Sequence, residues 1–484
     1  MPKYRSAAIL LSPMTDVSIP QAPPRTFWST VADALRGTHH DYTQGSIPRA
    51  IVLLAVPMVL EMALESVFAV VDAFWVGHIG PTALATVGLT ESMLSIMYAV
   101  DLGLAMGATA LVARRIGEGD AEGAAESAGQ AIIVGVVAAI ALGLIGGIFA
   151  PQLLALLGAD KDVIAQGSSF TRVMLGGSGC ILFLFLFNAI FRGAGDAAIA
   201  MRVLWFANII NLILDPCFIL GLGPFPRLGV TGAAVATTIG RTAGALFALS
   251  RLVRPGHRIT LRRRHLKLNP DVMGRLLGVS GSGAFQAFIG SASWIGLVRI
   301  MSLFGSEVLA GYVVSIRLVI FALLPSWGLG NAAATMVGQA LGSRQPDRAE
   351  KAVWLASGYD CAVLSLIGLA FAVFAHPLVS VFTSDPVSLQ TGATSLRIIA
   401  LGFPLYAYGM VVTQSFNGAG DTMTPTIINF GVFWVFEIPL AYFLAVTSHV
   451  GPSGVFIALT VAFCMLAVVS ILLFRRGRWK TVAL

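Results

Sequence analysis

Long apolar runs separated by short polar segments dominate the chain. Twelve runs can be drawn, each near the roughly 20 residues with which a helix crosses a bilayer. They cover residues 50–78, 88–112, 124–149, 163–191, 197–221, 229–253, 272–300, 307–336, 352–376, 388–415, 422–446 and 452–474. Backbone groups in lipid need internal partners, and the runs lack the short alternating pattern of an outer-membrane barrel. We therefore predict an all-α membrane protein with twelve transmembrane helices.

Composition agrees with this pattern. Of the 484 residues, 56% are hydrophobic and only 11% are charged, whereas soluble domains carry about 25% charged residues. A soluble core could not bury so much apolar surface, which excludes the soluble protein classes. The four cysteines are scattered through the runs without metal or disulfide spacing, so we interpret them as packing residues.

The second half of the chain repeats the first at a constant offset. FRGAGD at 191–196 returns as FNGAGD at 416–421, and GLAMGATALVARRIG at 103–117 aligns with GLGNAAATMVGQALG at 328–342. Beyond the loop at 220–230 the offset shortens slightly, so that Gly232 aligns with Gly454. Each copy holds six spans, and an even number returns the chain to its starting side. The sequence thus predicts two pseudo-symmetric six-helix bundles related as a parallel repeat.

The repeat and its flanks define five regions. They are a cytoplasmic tail at 1–49, a first bundle at 50–253, a basic cytoplasmic linker at 254–271, a second bundle at 272–475 and a cytoplasmic tail at 476–484. The first tail is polar, contains prolines and lacks a signal-peptide pattern, so we expect a flexible or surface-lying segment. The Gly-x-Gly-Asp segments are interpreted as hairpin turns in which Asp196 and Asp421 cap the next helix.

Basic residues concentrate on one side of the predicted membrane. The net charge is +7, and 24 of the 31 lysines and arginines, Arg192 included, fall in the tails, the linker and alternate connections. The other seven, Arg241 included, do not fall on that side. The positive-inside rule then places both termini in the cytoplasm. Topology and contact with anionic lipid account for the basic surplus, so no nucleic-acid partner is expected.

Acidic residues inside the spans are the main functional candidates, because an ionisable group at the bilayer centre costs about 2.5–3.5 kcal/mol. The first span places Glu61, Glu65 and Asp72 within about 40° on one helical face. Such a cluster requires water, protons or cations, although Glu61 and Glu65 could simply hydrate a cavity mouth. Pro57 in the same span removes a backbone donor and is a candidate hinge.

The fifth span carries amides as well as a carboxyl. Asn208, Asn211 and Asp215 follow one another at spacings of three and four residues and so share a face. Amide and carboxylate oxygens suit Na⁺ or a proton site on ordered water, and interhelical packing is the alternative use. Asp101 in the second span is a further candidate.

The two bundles differ in their acidic residues. The repeat aligns Asp72 and Asp215 with Leu297 and Leu440. Ion chemistry is therefore expected in the first bundle. The acidic candidates of the second bundle are Asp360 and Glu437.

Several segments together resemble the multidrug and toxic-compound extrusion (MATE) family. They are VDAFWVGHIGPTALATVG at 71–88, the paired GAGD turns, NLILDPCFI at 211–219 and GVTGAAVAT at 229–237, within a two-bundle plan of twelve spans. The Asn-x-x-x-Asp-Pro element resembles the bacterial branch named for DNA-damage-inducible protein F.

This resemblance implies export of amphipathic, often cationic compounds in exchange for H⁺, which we favour, or Na⁺, with no cofactor. The positions that match the family's ion site are Asp72, Asn211, Asp215 and Thr237. The same four residues would bind Na⁺ if Na⁺ is the coupling ion. Pro57 would bend the first span, and Glu61, Glu65, Asp101 and Asn208 are secondary candidates. The seventh and tenth spans contain no acid beyond Asp271, so the second-bundle site of the other major branch is not expected.

The sequence therefore predicts a secondary active multidrug exporter, not an enzyme, acting as a monomer in the bacterial inner membrane on small molecules. A lipid-linked-sugar flippase of the same superfamily is the alternative. It would need a cationic central cavity, for which Arg172, Arg317 and Arg397 are available. A membrane enzyme would need clustered catalytic groups. A channel would conduct current without saturable exchange.

Overall fold

The computed structural model describes residues 26–37, 40–77, 79, 81–482 and 484. Much of the predicted first tail lies outside the described residues. The α-helices are α1 Phe27–Arg36, α2 Ile47–Gly77, α3 Pro81–Gly117, α4 Ala121–Leu156, α5 Lys161–Gly176, α6 Ser178–Ala194, α7 Ala197–Leu220, α8 Val230–Val253, α9 Pro270–Met301, α10 Ser306–Gly342, α11 Pro346–Ser380, α12 Pro386–Ala400, α13 Phe403–Ala419, α14 Met423–Asn429, α15 Ile438–Tyr442 and α16 Pro452–Arg475.

The twelve predicted spans are confirmed within the described residues. Eleven helical segments are long and apolar enough to cross a membrane, and α12 with α13, bent by 62°, supplies the twelfth. The fourth span consists of α5 and α6, and the eleventh consists of α14 and α15 with two π-helical stretches, Phe430–Glu437 and Phe443–Thr447. Each of the other spans is one helix, of which α4 and α11 are kinked at Phe149 and Phe374, where the backbone angles are not helical.

The two bundles have matching internal contacts. Gly193 packs on the backbone of Thr109, and Gly418, its counterpart in the repeat, packs on the backbone of Ala334, the counterpart of Thr109. Arg172 Nε donates to the carbonyl of Gly147 at 3.2 Å, and its counterpart Arg397 donates to the carbonyl of Ala372 at 3.3 Å. Equivalent contacts at equivalent positions confirm the parallel repeat.

The first π-helical stretch shifts the repeat register in the eleventh span. Before it, the buried positions of α7 and of the eleventh span keep the same offset as the FRGAGD and FNGAGD segments, as in Ala207 and Val432. After it the register is displaced by one position, and the pairs are Asn211 with Glu437, Asp215 with Ala441, and Ile219 with Ala445. Gly232 packs on Ile219 and Gly454 packs on Ala445, which independently fixes the last pair. The structural counterpart of Asp215 is therefore Ala441, not Leu440 as the ungapped alignment predicts.

Both Gly-x-Gly-Asp turns are covered by segments near the chain ends. The Tyr42 hydroxyl donates to the carbonyl of Gly195 at 3.1 Å, while Leu484 packs against Gly420. The capping prediction is confirmed for Asp421, which accepts from the amide of Thr424 at 3.1 Å. Asp196 stands at the N-cap of α7, but its side chain makes no capping bond, so the prediction is wrong in that detail.

Glycines bring the two bundles together. Gly103 and Gly107 of α3 pack on α9, and Gly328 of α10 packs on Val59 of α2. The equivalent residues Gly117 and Gly342 meet each other, where a Cβ on either would overlap the opposite backbone. All these contacts lie in the half of the spans nearest the linker and the C-terminal segment, here called the basic side. The bundles are therefore closed against each other on the basic side.

Gly117→Ala should weaken this closure. The added methyl meets the Gln339 carbonyl oxygen, and forced overpacking costs about 1–3 kcal/mol. Because the cost falls only on the closed arrangement, the population in which the basic side is open should rise about fivefold or more. Spin labels at the exposed positions Glu118 and Asp347 would report it as a longer distance component.

The matched control is Gly278→Ala, because a Cβ at that helical position meets nothing within 4 Å in the described part of the chain. Its distance distribution should equal that of the unsubstituted chain. A Gly117→Ala distribution that also stayed unchanged would contradict the role assigned to this glycine contact.

Candidate functional site

Close packing of α7 against α8 positions the polar residues of the first bundle. Gly240 of α8 lies so near α7 that a Cβ there would stand 2.8 Å from the Ala207 carbonyl oxygen and 3.1 Å from Asn211 Cβ. Small residues allow helix backbones to approach closely in a membrane. As a result, the Asn211 side chain reaches α8 directly.

Asn211, Asp215 and Thr237 form one hydrogen-bonded cluster. Asn211 Nδ2 lies 3.2 Å from Asp215 Oδ1 and 3.2 Å from Thr237 Oγ1. All three residues are buried, and Asp215 is fully inaccessible. Its second oxygen, Oδ2, has no hydrogen-bond partner among the described residues. A buried carboxylate with an unsatisfied oxygen is costly unless it binds a proton or a cation.

Asp72 of α2 lies near this cluster. Its carboxyl is within electrostatic range of Asp215, and its Oδ1 is buried without a hydrogen-bond partner in the part of the chain that the structure describes. Glu91 and Arg241 also lie within range of Asp72. The structure thus brings Asp72 and the fifth-span cluster together in the first bundle, as the resemblance implies.

Glu61 has a different environment, because it is ion-paired. Arg192 Nη1 of α6 donates to Glu61 Oε1 at 2.7 Å, and Asn188 Nδ2 donates to the same oxygen at 3.2 Å. The side chains of Glu61 and Arg192 are 2% and 9% exposed. This pair ties the first span to the fourth inside the bundle.

Glu65 is paired in the same manner one helical turn further along α2. Arg241 of α8 donates through two nitrogens to the Glu65 carboxylate, at 2.5 and 3.2 Å. The guanidinium of Arg241 also lies 4.6 Å from the ring centroid of Phe68, a favourable cation–π arrangement. The Arg241 side chain is only 3% exposed.

These pairs correct the sequence interpretation. The charge count places Arg192 among the basic residues of one side and Arg241 among the seven others, whereas the structure buries both side chains inside the bundle. Glu61 and Glu65 are therefore compensated, and among the described first-span acids only Asp72 lacks an ion pair. The signal in the sequence is Arg241 itself, which stands in the middle of a predicted span.

The remaining candidates lie elsewhere in the first bundle. Asn208 is one turn from Asn211 and buried, and neither polar atom of its amide has a hydrogen-bond partner among the described side chains and backbone. Asp101 of α3 is 4% exposed, with Oδ1 likewise unpartnered there. Pro57 is buried in α2, which continues through it as one helix. Within the described chain, none of these three makes a hydrogen bond to the Asp215 cluster.

Twelve spans, a duplicated bundle and a buried acidic cluster define an integral membrane transporter. Residues 57–217 and 284–443 match the MatE family. Since these segments cover most of the chain, the protein belongs to the MatE family of transporters, which is not an enzyme family and does not depend on cofactors.

Three similar proteins illustrate the relationship. The chain is 25% identical to a probable multidrug resistance protein NorM of Thermotoga maritima, covering 90% of this chain and 93% of that protein. It is also 25% identical to a FAD transporter of Shewanella oneidensis, with coverages of 89% and 94%. A structure described as the outward-facing conformation of a multidrug resistance MATE transporter aligns with a TM-score of 0.85 at 26% identity, over 91% and 98% of the two chains. The NorM relative and the MATE structure support multidrug export as the function.

Removing one partner of the Glu61–Arg192 pair should destabilise the protein. Glu61→Gln leaves a buried guanidinium uncompensated, which costs about 3–5 kcal/mol. The double variant Glu61→Gln/Arg192→Gln should lose much less than the sum of the single variants. Thermal unfolding of the purified protein measures both effects.

The control is the half-exposed pair between Arg115 and Glu118, 2.9 Å apart. Glu118→Gln should change stability by less than about 1 kcal/mol. Additive losses in the double variant would show that Glu61 and Arg192 do not act as a pair.

Proposed function

We propose that this transporter is a cation-coupled antiporter that exports amphipathic, often cationic organic compounds in exchange for H⁺ or Na⁺, with H⁺ favoured. The observation that carries the proposal is the contrast within the first bundle. Glu61 and Glu65 each form an ion pair with an arginine, whereas Asp72 and Asp215 have no ion pair among the described residues and each keeps a buried oxygen without a hydrogen bond there. Glu61 also keeps one such oxygen, but its charge is compensated by Arg192. Of these four carboxyls, only Asp72 and Asp215 lack an arginine partner in the described chain, which leaves their charge available to an exchangeable cation.

The coupling follows from competition for these carboxylates. When Asp72 and Asp215 are both ionised they repel each other, and the net negative charge attracts a cationic substrate. A proton or Na⁺ that enters cancels one of the two negative charges and weakens this attraction, so that substrate is released. Membrane potential contributes about 2.3 kcal/mol per charge per 100 mV, in addition to the ion gradient.

Asn211 and Thr237 prepare this site. The Asn211 amide donates to both Asp215 and Thr237, which holds the carboxyl in one orientation. For Na⁺, the oxygens of Asp72, Asn211, Asp215 and Thr237 are hard ligands of the right kind.

The first and second bundles are proposed as the moving lobes, 50–253 and 272–475, on either side of a shared cleft. Closure on the basic side through Gly117 and Gly342 corresponds to a cleft open on the other side, and the similarity to an outward-facing transporter supports this assignment. Pro57 lies two residues from Val59, which Gly328 contacts across the bundles. Bending of α2 at Pro57 would therefore change the interface as well as the ion site.

The flippase alternative is less favoured by the positions of its three arginines. Arg172 and Arg397 are exposed and donate to backbone carbonyls of α4 and α11. For Arg172 the acceptor is the Gly147 carbonyl, which Pro151 cannot bond because proline lacks an N–H. Arg317 lies within electrostatic range of Glu91. These arginines therefore do not supply a shared pocket for pyrophosphate.

The remaining assignments concern the cellular setting. We propose a monomer in the bacterial inner membrane, in contact with anionic lipid and without a nucleic-acid partner. The basic linker and C-terminal segment support a cytoplasmic location for both termini, together with the regions 254–271 and 476–484.

Asp72→Asn and Asp215→Asn should each abolish coupled export. Proteoliposomes loaded with a cationic dye would be tested under an imposed pH gradient and then under a Na⁺ gradient. We expect at least a tenfold loss of gradient-driven efflux, because an amide cannot bind or release a proton. The matched control is Asp271→Asn, at an exposed position at the start of α9, which should retain full efflux.

Three outcomes separate the alternatives. Response to Na⁺ but not to pH would assign the coupling ion as Na⁺. Full efflux by Asp72→Asn would contradict the mechanism. Transport of FAD but not of the dye would replace the proposed substrate class with that of the Shewanella relative.

Orientation has its own test. Green fluorescent protein fused after Leu484 should fluoresce, whereas alkaline phosphatase fused at the same position should be inactive, because this end is proposed to be cytoplasmic. A reporter inserted in the loop between α7 and α8 should behave in the opposite way. An active phosphatase at the C-terminus would reverse the assigned topology.

A further inference from the structure

The second bundle has its own buried carboxyl at a position related to the ion site of the first. Glu437 is the last residue of the π-helical stretch Phe430–Glu437, and its counterpart in the first bundle is Asn211. π-Helical turns are rare and occur frequently at functional sites. Without the extra residue in this stretch, Glu437 would not occupy the buried face that Asn211 occupies in α7.

Glu437 has no compensating charge within the described chain. It is 1% exposed, and its Oε1 has no hydrogen-bond partner there. No basic side chain among the described residues is within electrostatic range of this carboxyl. Glu61 and Glu65, by contrast, lie inside the other bundle but are paired with arginines.

The helices packed around Glu437 present few charged or titratable groups. The tenth span presents Tyr406, and the eighth presents Tyr312, whose hydroxyl is within electrostatic range of Glu437. Asp360 of the ninth span is within range of Tyr406. The seventh span contributes Arg299 only at its exposed end, and the twelfth contributes Cys464 and, at its end, Arg475.

The Tyr312 hydroxyl is one of two tyrosine hydroxyls within electrostatic range of this carboxyl. It is buried and, like Glu437 Oε1, has no hydrogen-bond partner among the described residues. Its ring stacks on Phe456, with centroids 6.1 Å apart and planes inclined by 10°, and Tyr406 stacks on Phe463 at 3.8 Å. These aromatic contacts hold both tyrosines in place.

We propose that Glu437 is a proton-binding site in the second bundle, with Tyr312 as its neighbouring hydroxyl. A lone carboxylate in apolar surroundings strongly favours its neutral form. Na⁺ is disfavoured as the ligand, because it requires several oxygens and Glu437 and Tyr312 alone supply too few. Binding consists of addition of one proton to one carboxylate oxygen. The proposal does not depend on the antiport mechanism or on the coupling ion.

Infrared difference spectroscopy of the purified, substrate-free protein tests the proposal directly. At neutral pH, the spectrum of the unsubstituted protein minus the spectrum of Glu437→Gln should show the carbonyl stretch of one protonated carboxyl. Glu307→Gln, the same change at an exposed position at the outer end of α10, should show none. Asp72→Asn and Asp215→Asn should leave the Glu437 band in place. A failure of the proposed antiport could therefore be distinguished from a failure of the Glu437 proposal.

Two further variants keep the test decisive. Tyr312→Phe, which keeps the ring and its stacking, should shift the frequency of the same band without removing it, and this holds even if Glu437→Gln does not fold. Asp360→Asn separates the contribution of the other buried acid of this bundle. A Glu437→Gln difference spectrum without a protonated-carboxyl band, or with an ionised carboxylate in its place, would overturn the proposal.

Discussion

The cost of placing charge inside an apolar bundle governs this structure. Two acids of the first span, Glu61 and Glu65, are compensated by arginines from other helices. These buried ion pairs tie α2 to α6 and to α8. Breaking such pairs is expensive because a lone ion in low dielectric has no substitute for water. The same constraint leaves Asp72, Asp215 and Glu437 without a basic partner among the described residues, so the paired carboxyls and those proposed to bind cations differ in their partners and not in their depth.

Duplication has preserved the backbone of the two bundles more faithfully than their charges. Glycine contacts and arginine–carbonyl bonds recur at equivalent positions, since close helix packing and kinked helices impose the same demands on both copies. The ion pairs of α2 do not recur, because the counterparts of Glu61 and Glu65 are Gln286 and Gly290. One inserted residue in a π-helical stretch then gives the second bundle a single carboxyl where the first has an amide. Two similar scaffolds thereby carry different chemistry.

Closure between the bundles depends on residues without side chains. Gly103, Gly107, Gly328 and the facing pair Gly117 and Gly342 allow backbones to touch near the basic side. Such contacts are short-ranged and sensitive to a single methyl group.

The sequence by itself determined the spans, the repeat, Pro57 and the acids inside the membrane, because hydropathy and helical periodicity are local properties. It also indicated that Asp72, Asn211, Asp215 and Thr237 belong together, through resemblance to a family. Only the tertiary structure decided that Glu61 meets Arg192 and that Glu65 meets Arg241, since these contacts depend on which helices are neighbours and how each is rotated. The shift that aligns Glu437 with Asn211 was likewise invisible, because a π-helical turn changes hydrogen bonding without leaving a clear hydropathy pattern.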